Sequence, residues 1–381
     1  MKYDALVIGA GFAGAVAARE LAERGNRKVL LLERRDHIGG NAYDRTDEAG
    51  ILIHQYGPHI FHTNDKRVYD YLSRFTPWLD YQHRVVANVH GQLMPVPFNL
   101  DSLDIAFGER APALAKKLLD TYGAERKVTI LELRENTDPE LKEVADYVYE
   151  NVFVYYTMKQ WGTTPEQIDP NTTARVPVFL SHDDRYFQDT YQGMPTEGYT
   201  ALFDHLLDHP NITVDTGVDA LTRMSFGERG IKLDGEAFSG SVIYTGAVDE
   251  LFDCRFGALP YRTLDFSFET HPVEWYQTRG TVNYTVDQPY TRITEFKHLT
   301  DQKHKQTTIV KEYSKAFGNL PGETPYYAII NPENMALYEK YKALADEIPN
   351  LCLVGRLAEY KYYNMDVIVA RALELADELL K

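Results

Sequence analysis

Arginines in the later part of the sequence have neighbours that suit a ligand-binding role. Arg175, Arg292 and Arg356 each stand near aromatic or turn residues and apolar strand positions, and not on charged helix faces. A guanidinium group binds phosphate oxygens through paired hydrogen bonds. Tyrosines cluster alongside at 326–327 and 360–363, and a phenol hydroxyl can donate to phosphate without adding charge. Together these residues predict a binding site for a diphosphate.

The N-terminal region contains a second phosphate-binding pattern. It has the order strand, glycine turn, helix, strand and acid, at 5–8, 9–14, 15–24, 29–32 and Glu33. Glycines let the backbone approach a diphosphate, and a helix N-terminus offers unpaired N–H groups and a positive dipole end. The acid can accept a hydrogen bond from a ribose hydroxyl and would repel a 2′-phosphate. The pattern predicts a dinucleotide site, although a glycine turn of this kind can also serve close packing alone.

The glycine motif by itself does not distinguish NAD from FAD. The sequence has no second GxGxxG for NAD(P)H, no CxxxxC redox disulfide, no GxSxG nucleophile elbow and no clustered metal ligands. His59 and His62 are three residues apart and could share a helix face, but they lack the carboxylate of an HExxH motif. We therefore predict no metal site, and we expect these histidines beside a cofactor or hydrogen-bonded in the interior.

Length and composition exclude several classes of protein. A chain of 381 residues with 44% hydrophobic and 25% charged residues is typical of a globular protein of two or three domains. The net charge of −16 argues against a nucleic-acid or anionic-membrane surface. The 2 cysteines are too few for a disulfide framework, and no stretch reaches the roughly eighteen apolar residues of a transmembrane helix. We expect a cytoplasmic protein without a signal peptide or membrane segment.

Hydrophobic periodicity predicts the elements that position these residues. The predicted helices cover 66–75, 112–123, 138–159, 199–207 and 365–380. The predicted strands, besides the first two, cover 175–180, 212–215, 231–233, 242–246, 263–268, 280–285, 291–296, 307–313 and 351–355. The four between 263 and 313 predict an antiparallel sheet. The strand at 242–246 resembles a return to the first sheet, and the strand at 351–355 is predicted to be buried.

Several longer motifs resemble those of a known enzyme family. They are HIGGNAY at 37–43, YGPHIFHT at 56–63, KQWG at 159–162, YQG at 191–193, RFGAL at 255–259, PYTR at 289–292 and GRLAEYKYY at 355–363. With these motifs in the family's order, the chain resembles the bacterial UDP-galactopyranose mutases along nearly its whole length.

This resemblance implies an FAD enzyme that interconverts UDP-galactopyranose and UDP-galactofuranose without net redox change. Only reduced flavin is active in that family, where flavin N5 is thought to attack the anomeric carbon and expel UDP. An external reductant, such as NAD(P)H or a reductase, and a homodimer are also implied. Sister enzymes with this scaffold act on UDP-N-acetylgalactosamine or on a dTDP-6-deoxysugar. The sequence also leaves open a flavin oxidase of the amine-oxidase type and a nucleotide-sugar binding protein without turnover.

The predicted fold is α/β, with a discontinuous Rossmann-type FAD-binding domain, an inserted helical bundle and an antiparallel β-sheet domain around a substrate cleft. The FAD-binding domain is predicted at 1–80, 193–250 and 345–381. The helical bundle is predicted at 98–162, and the sheet domain at 81–97, 163–192 and 251–344.

The glycine motif and the resemblance together imply roles for individual residues. The predicted catalytic residues are Arg175, Arg292 and His62. The predicted FAD contacts are Gly9, Gly11, Ala13, Gly14, Glu33, Arg34, Gly40, Asn41, His59, Ile60, Arg356, Met365, Asp366, Val367, Ile368, Val369 and Ala370. The predicted substrate contacts are His83, Tyr156, Thr157, Trp161, Arg175, Tyr186, Asn283, Arg292, Tyr327 and Tyr362.

Three positions depart from the family's pattern. Met158 stands where an acid is frequent, Asn364 stands where an Asp is common near the flavin, and Val152 stands where an aromatic ring can face the uracil. None of the three removes a predicted diphosphate contact. The change at Val152 leaves the choice of nucleotide and sugar open.

Overall fold

A five-stranded parallel sheet carries the N-terminal glycine turn. The computed structural model describes residues 2–162, 164, 177–227 and 230–381. The strands of this sheet, in spatial order, are Ile212–Thr216, Val29–Glu33, Ala5–Ile8, Ser241–Tyr244 and Leu351–Leu353. They come from the start, the middle and the end of the chain, and neighbouring strands pair in parallel. This is the discontinuous Rossmann-type sheet that the sequence predicts.

Secondary structure packs against both faces of this sheet, so the two strands beside the glycine turn are buried along their full length. The Phe12–Glu23, Tyr199–Leu207 and Met365–Leu379 helices lie on one face. Buried alanines in the first of these helices let it pack closely against the last. The other face packs against the Pro332–Asp346 helix and a small sheet formed by Met224–Gly227, Gly230–Leu233 and Glu236–Ala237.

A helical region follows the first part of this domain. Its helices are Leu100–Phe107, Ala111–Tyr122, Ile130–Arg134, Pro139–Val148 and Val154–Trp161. A π-helical turn at Tyr149–Phe153 joins the last two, so the helix predicted at 138–159 is continuous but locally widened. Shorter helices cover Lys66–Leu72, Val248–Leu251 and Lys297–Thr300. Within the described ranges, no helix is long and apolar enough to cross a membrane.

A seven-stranded sheet forms the floor of the substrate cavity described below. Its strands, in spatial order, are Tyr327–Ala328, Tyr261–His271, Thr307–Ala316, Arg292–Glu295, Thr281–Tyr284, Val85–Val89 and Gln92–Val96. A three-stranded sheet of Phe61–Thr63, Tyr191–Pro195 and Trp78–Leu79 lies beside the parallel sheet, and Asp44–Thr46 pairs with Leu52–His54.

The four strands predicted between 263 and 313 pair antiparallel with one another, as expected. The large sheet also contains Val85–Val89, which was not predicted as a strand and which pairs in parallel with Thr281–Tyr284. Two details of the predicted strands are wrong. Val178–Phe179 pairs with Lys127–Val128 in the helical region and does not open the large sheet; residues 175–176 lie outside the described residues. Leu351–Leu353 is only half-buried, because it is an edge strand with a single neighbour.

We expect the buried imidazole of His54 to make stability depend on pH. His54 is 1% exposed, packs against the rings of Tyr199 and Phe296, and accepts a hydrogen bond from the backbone N–H of His59. Burial lowers its pKa from 6.5 to about 4. At pH values between these two pKa values, His54 is protonated in the unfolded chain but neutral in the folded protein. The free energy of unfolding therefore falls as pH falls, by up to about 1.4 kcal/mol per pH unit.

Urea unfolding at pH 7 and pH 5 tests this expectation. His54→Asn keeps an acceptor but does not titrate, so it should lose less stability between the two pH values than the wild-type protein. His90→Asn, which removes an exposed histidine, is the control and should behave like the wild type. An equal loss in His54→Asn and in the wild type would contradict this explanation.

Candidate active site

The glycine turn lines a cavity of about 240 Å³, called here the nucleotide cavity. Gly11 precedes the Phe12–Glu23 helix in an extended conformation, and no side chain caps the helix N-terminus. The first amide groups of this helix are therefore free of side-chain partners, as an anion site requires. The predicted cofactor residues that line the cavity are Gly9, Gly11, Ala13, Glu33, Arg34, Gly40, Asn41, His59, Arg356, Met365 and Ile368.

Two glycines of the motif are required by close backbone approach. Gly9 has a φ of 103°, and a Cβ there would lie 2.1 Å from Thr245 Oγ1. A Cβ on Gly14 would lie 1.9 Å from the carbonyl oxygen of Gly9. Gly11 differs, because a Cβ there would make only an ordinary contact, 3.6 Å from the Cα of Gly40. Gly11 therefore leaves space in the cavity, whereas Gly9 and Gly14 allow the turn to fold.

The acid at the end of the second strand has partners within the protein. Glu33 is 8% exposed, and its two carboxylate oxygens accept hydrogen bonds from the backbone N–H groups of Ala10 (2.7 Å) and Arg35 (2.9 Å). It therefore joins the strand end to the glycine turn. Each carboxylate oxygen retains a lone pair, so Glu33 can still accept from a ribose hydroxyl.

Arg35, which the sequence did not single out, is the neighbour with an unused donor. Its guanidinium lies 4.2 Å from the ring centre of Tyr56 and donates to Asn41 Oδ1 at 2.8 Å. Its buried Nη1 has no hydrogen-bond partner among the described residues. Because an unpaired buried donor is costly, this atom suits an oxygen of a bound dinucleotide.

A second cavity of about 500 Å³, the substrate cavity, lies next to the nucleotide cavity. His59, Arg356 and Met365 line both cavities. A group held in one cavity can therefore reach a group held in the other. The other predicted site residues that line the substrate cavity are Ile60, His62, His83, Tyr186, Asn283, Arg292, Tyr327 and Tyr362.

Arg292 is the predicted phosphate-binding arginine that the structure places in this cavity. The strand registers set Arg292 opposite Asn283 on one side and opposite Glu312 on the other. Its Nε lies 2.8 Å from Glu312 Oε1, without the alignment of a hydrogen bond. Burial opposes the charge of Arg292, but Glu312 together with Tyr156 and Tyr327 outweighs it and raises the pKa of the guanidinium. The cavity thus contains a permanent cation with unused donor capacity.

Tyrosine side chains lie near this cation. Burial raises the pKa of Tyr327 to about 12, so its phenol is a hydrogen-bond donor at neutral pH. The ring of Tyr362 stacks against Tyr327 at 5.9 Å, and the guanidinium of Arg356 lies 4.8 Å from the ring of Tyr362. The ring of Trp161 lies 5.8 Å from the ring of Tyr327. Charge and phenol donors therefore converge here, as diphosphate binding requires.

The Val154–Trp161 helix is fastened to the large sheet at its C-terminal end. Lys159 Nζ donates to the backbone oxygens of Gln288 (2.9 Å) and Tyr290 (3.3 Å) in the loop before Arg292. Arg262 donates to the carbonyls of Gln160 (3.0 Å) and Lys159 (3.1 Å). These bonds fix the helix that carries Tyr156, Thr157 and Trp161. Those three do not line the substrate cavity, so their predicted substrate contacts stay predictions.

His62 lies in a strand and is paired with an acid. The expectation that His59 and His62 share a helix face is wrong, because Phe61–Thr63 is a strand and His59 precedes it. His62 Nδ1 lies 2.7 Å from Asp189 Oδ2, and the His62 ring stacks on Phe187 at 3.6 Å. Burial lowers the pKa of His59 and of His83 to about 3 in each case, so both are neutral at physiological pH.

Several predicted residues lie away from the two cavities. Asp366 accepts a hydrogen bond from Thr63 Oγ1 at 2.9 Å, Val369 is buried in the core, and Val367 is 41% exposed. The predicted cofactor contacts that line neither cavity are Gly14, Asp366, Val367, Val369 and Ala370. Arg175 lies outside the described residues. The roles assigned to all of these residues stay predictions.

Asp189, Phe187 and Glu312 are site residues that the sequence reasoning missed. Asp189 is 127 positions from His62, and Glu312 faces Arg292 only through the strand register. In neither pair are the two residues close enough in sequence for a motif to reveal their contact. Arg35 differs from these residues, because it directly follows Arg34, a predicted cofactor contact. Its position just after the second strand could have identified it from the sequence.

Comparisons with known proteins agree with this geometry. Residues 151–362 match the family model for UDP-galactopyranose mutase, and residues 7–75 match the model for a Rossmann-like NAD(P)-binding domain. The chain is 38% identical over 379 residues to the probable UDP-galactopyranose mutase of Klebsiella pneumoniae, covering 98% of this chain and 94% of that protein. The chain belongs to the UDP-galactopyranose mutase family.

Relatives in this family that are named for different substrates are equally similar to this chain. The dTDP-fucopyranose mutase of Escherichia coli is 38% identical over 380 residues, covering 99% of this chain and 98% of that protein. A crystal structure of reduced UDP-galactopyranose mutase aligns with 100% of this chain and 94% of its own, at a TM-score of 0.74 and 16% identity. At that identity the structural match shows the shared fold.

In this member of the mutase family, alanine substitutions at two motif glycines should have different effects, one on dinucleotide binding and the other on folding. Gly11→Ala places a methyl group in the nucleotide cavity without a steric clash in the protein. We expect a wild-type melting temperature and dinucleotide affinity at least about tenfold weaker, because the diphosphate loses its close approach to the backbone. Gly14→Ala should instead lower the melting temperature, because its methyl group meets the Gly9 carbonyl. Wild-type dinucleotide content in Gly11→Ala would contradict the assignment of this cavity.

Proposed function

We propose that the protein interconverts UDP-galactopyranose and UDP-galactofuranose, with FAD as its cofactor in the reduced state. The observation that carries the proposal is the junction of the two cavities at His59, Arg356 and Met365 in a member of this family. It allows a sugar held by Arg292 to reach a cofactor held by the glycine turn.

The residues of the nucleotide cavity fit FAD. The uncapped helix N-terminus suits the diphosphate, Glu33 has lone pairs for a ribose hydroxyl, and the buried Nη1 of Arg35 needs an acceptor. Glu33 also disfavours a dinucleotide with a 2′-phosphate. When bound and reduced, FAD supplies an electron-rich nitrogen as a nucleophile for the anomeric carbon. An external reductant such as NAD(P)H or a reductase is part of the proposal.

The residues of the substrate cavity fit the departure and return of UDP. Breaking the bond between the anomeric carbon and UDP places additional negative charge on the diphosphate. Arg292 supplies a fixed cation there, and Tyr327 supplies a neutral donor. The buried Oδ1 of Asn283 has no partner among the described residues, so it can accept from a substrate hydroxyl. The same contacts hold UDP for its attack on the rearranged sugar.

An anaerobic assay tests the proposal. The FAD-loaded protein is reduced with dithionite and given UDP-galactofuranose, and UDP-galactopyranose is measured by chromatography. We expect conversion only with reduced flavin, and the oxidised protein is the control. No conversion by the reduced protein would overturn the proposal. Sustained oxygen consumption with substrate would point to an oxidase instead.

A second candidate substrate is a dTDP-6-deoxysugar. The evidence for it is the similarity of this chain to the dTDP-fucopyranose mutase of Escherichia coli, which is as high as its similarity to the Klebsiella protein. Position 152 carries a buried valine and not an aromatic residue, so it offers no ring to select a base. The same assay with UDP-galactofuranose, UDP-N-acetylgalactosamine and dTDP-fucofuranose decides between the candidates. We expect the highest kcat/KM with UDP-galactofuranose; a higher value with dTDP-fucofuranose would assign the protein to the second candidate.

Arg292→Ala should reduce kcat by roughly a hundredfold or more, because it removes the cation that stabilises departing UDP. The protein should still bind FAD, since Arg292 does not line the nucleotide cavity. The control is Arg223→Ala, which breaks an ion pair with Asp234 at 2.6 Å and lines neither cavity. A wild-type rate in Arg292→Ala would remove this residue from the mechanism.

A further inference from the structure

We infer that Asp189 is a positioning residue, which holds His62 so that its other ring nitrogen moves a proton between the two sugar oxygens that exchange places in the ring. This inference rests on the proposed function. It assigns a task to an acid that neither the motifs nor the comparisons single out.

Asp189 is itself held in place by the surrounding loop. Its Oδ2 lies 2.7 Å from His62 Nδ1, and its Oδ1 accepts from Asn64 Nδ2 at 2.5 Å. Asn64 Oδ1 in turn accepts from the backbone N–H of Thr190 at 2.9 Å. Gln192 Nε2 donates to the carbonyl of Asp189 at 3.0 Å. A carboxylate fixed in this way selects the tautomer of His62 with the proton on Nδ1.

The free nitrogen of His62 is available to the substrate. His62 and Asp189 both line the substrate cavity, and Phe187 supports one face of the imidazole. His62 Nε2 has no hydrogen-bond partner among the described residues, and the side chain is 12% exposed. With Nδ1 protonated, Nε2 is an acceptor that can take a proton from a ligand hydroxyl.

The other histidines of this cavity are less suited to the task. His59 Nδ1 lies 2.9 Å from the carbonyl of Gly57, and His83 Nδ1 lies 3.0 Å from the hydroxyl of Tyr81. Neither has a carboxylate partner in these contacts, and burial opposes protonation of both. His62 is the cavity histidine that combines a charged partner with a free nitrogen.

The isomerisation requires balanced proton transfers within the sugar. When the pyranose becomes the furanose, the bond between C1 and ring oxygen O5 breaks, and O5 gains a proton. The hydroxyl at C4 forms the new bond to C1 and loses its proton. One proton leaves O4 and one arrives at O5, so His62 Nε2 can accept the first and deliver the second without net change. The carboxylate of Asp189 stabilises the imidazolium that forms in between.

Cleavage of the bond between C1 and UDP does not need these transfers. The electron pair leaves with the diphosphate, where Arg292 stabilises it, and returns with it when the bond is re-formed. Loss of Asp189 should therefore impair ring exchange much more than UDP cleavage. A purely structural role, in which Asp189 only anchors its loop, would impair both equally.

Positional isotope exchange separates the two steps. UDP-galactopyranose labelled with ¹⁸O between C1 and the β-phosphorus scrambles its label whenever UDP leaves and returns. The experiment uses full-length, FAD-loaded protein reduced with dithionite, and it compares label scrambling with furanose formation. For Asp189→Asn we expect furanose formation to fall by roughly a hundredfold or more. Scrambling and the affinity for UDP should stay near wild type.

Asp184→Asn is the matched control. Asp184 lies in the same loop, pairs with Arg84 at 2.7 Å and lines neither cavity, so both rates should be unchanged. His62→Gln should reproduce the pattern of Asp189→Asn. If Asp189→Asn does not fold, Asp189→Glu shifts the carboxylate by one methylene group and must show the same selective loss.

The outcomes are distinguishable. Equal losses of scrambling and furanose formation in the folded Asp189 variant would overturn the inference, and so would wild-type furanose formation. Absence of scrambling and of product in the wild-type protein would instead overturn the proposed function on which the inference rests.

Discussion

The cation in the substrate cavity depends on a carboxylate one strand away. Glu312 is 1% exposed, and the register of the large sheet sets it opposite Arg292. A buried guanidinium without such a partner would be costly, and a carboxylate left alone would be equally unfavourable. The pair lets a protein with a net charge of −16 keep local positive charge in the substrate cavity. The rest of the site is arranged around this charge.

The fold brings that charge next to the nucleotide cavity by joining distant parts of the chain. His59 comes from the first third of the sequence, whereas Arg356 and Met365 come from its end. They meet because the parallel sheet is built from both ends of the chain, so the Phe12–Glu23 and Met365–Leu379 helices pack together. Lys159 and Arg262 then fix a third region, the helix that ends at Trp161, against the large sheet. The substrate cavity is lined by the large sheet and by residues from both ends of the chain, such as His59 and Arg356.

What could be predicted from the sequence follows from the range of each interaction. The glycine turn, its helix and Glu33 all lie within the first 33 residues. A short stretch of sequence is therefore enough to predict the turn and the anion-binding end of the helix. The Asp189–His62 pair and the Glu312–Arg292 pair depend on loop placement and strand register, which hydrophobic periodicity does not encode. The parallel pairing of Thr281–Tyr284 with Val85–Val89 was missed for the same reason. The sequence singled out Arg292 and His62 but not their acidic partners.

We propose that reduced flavin and nucleotide sugar meet at the cavity junction in a reaction without net redox change. Counting electrons against turnovers tests it most directly. The protein is reduced once with a stoichiometric amount of dithionite under strict anaerobiosis, and flavin absorbance and product are followed together with excess UDP-galactofuranose. We predict many turnovers per flavin while the absorbance stays that of the reduced form. Oxidation of one flavin for each product formed would contradict the account.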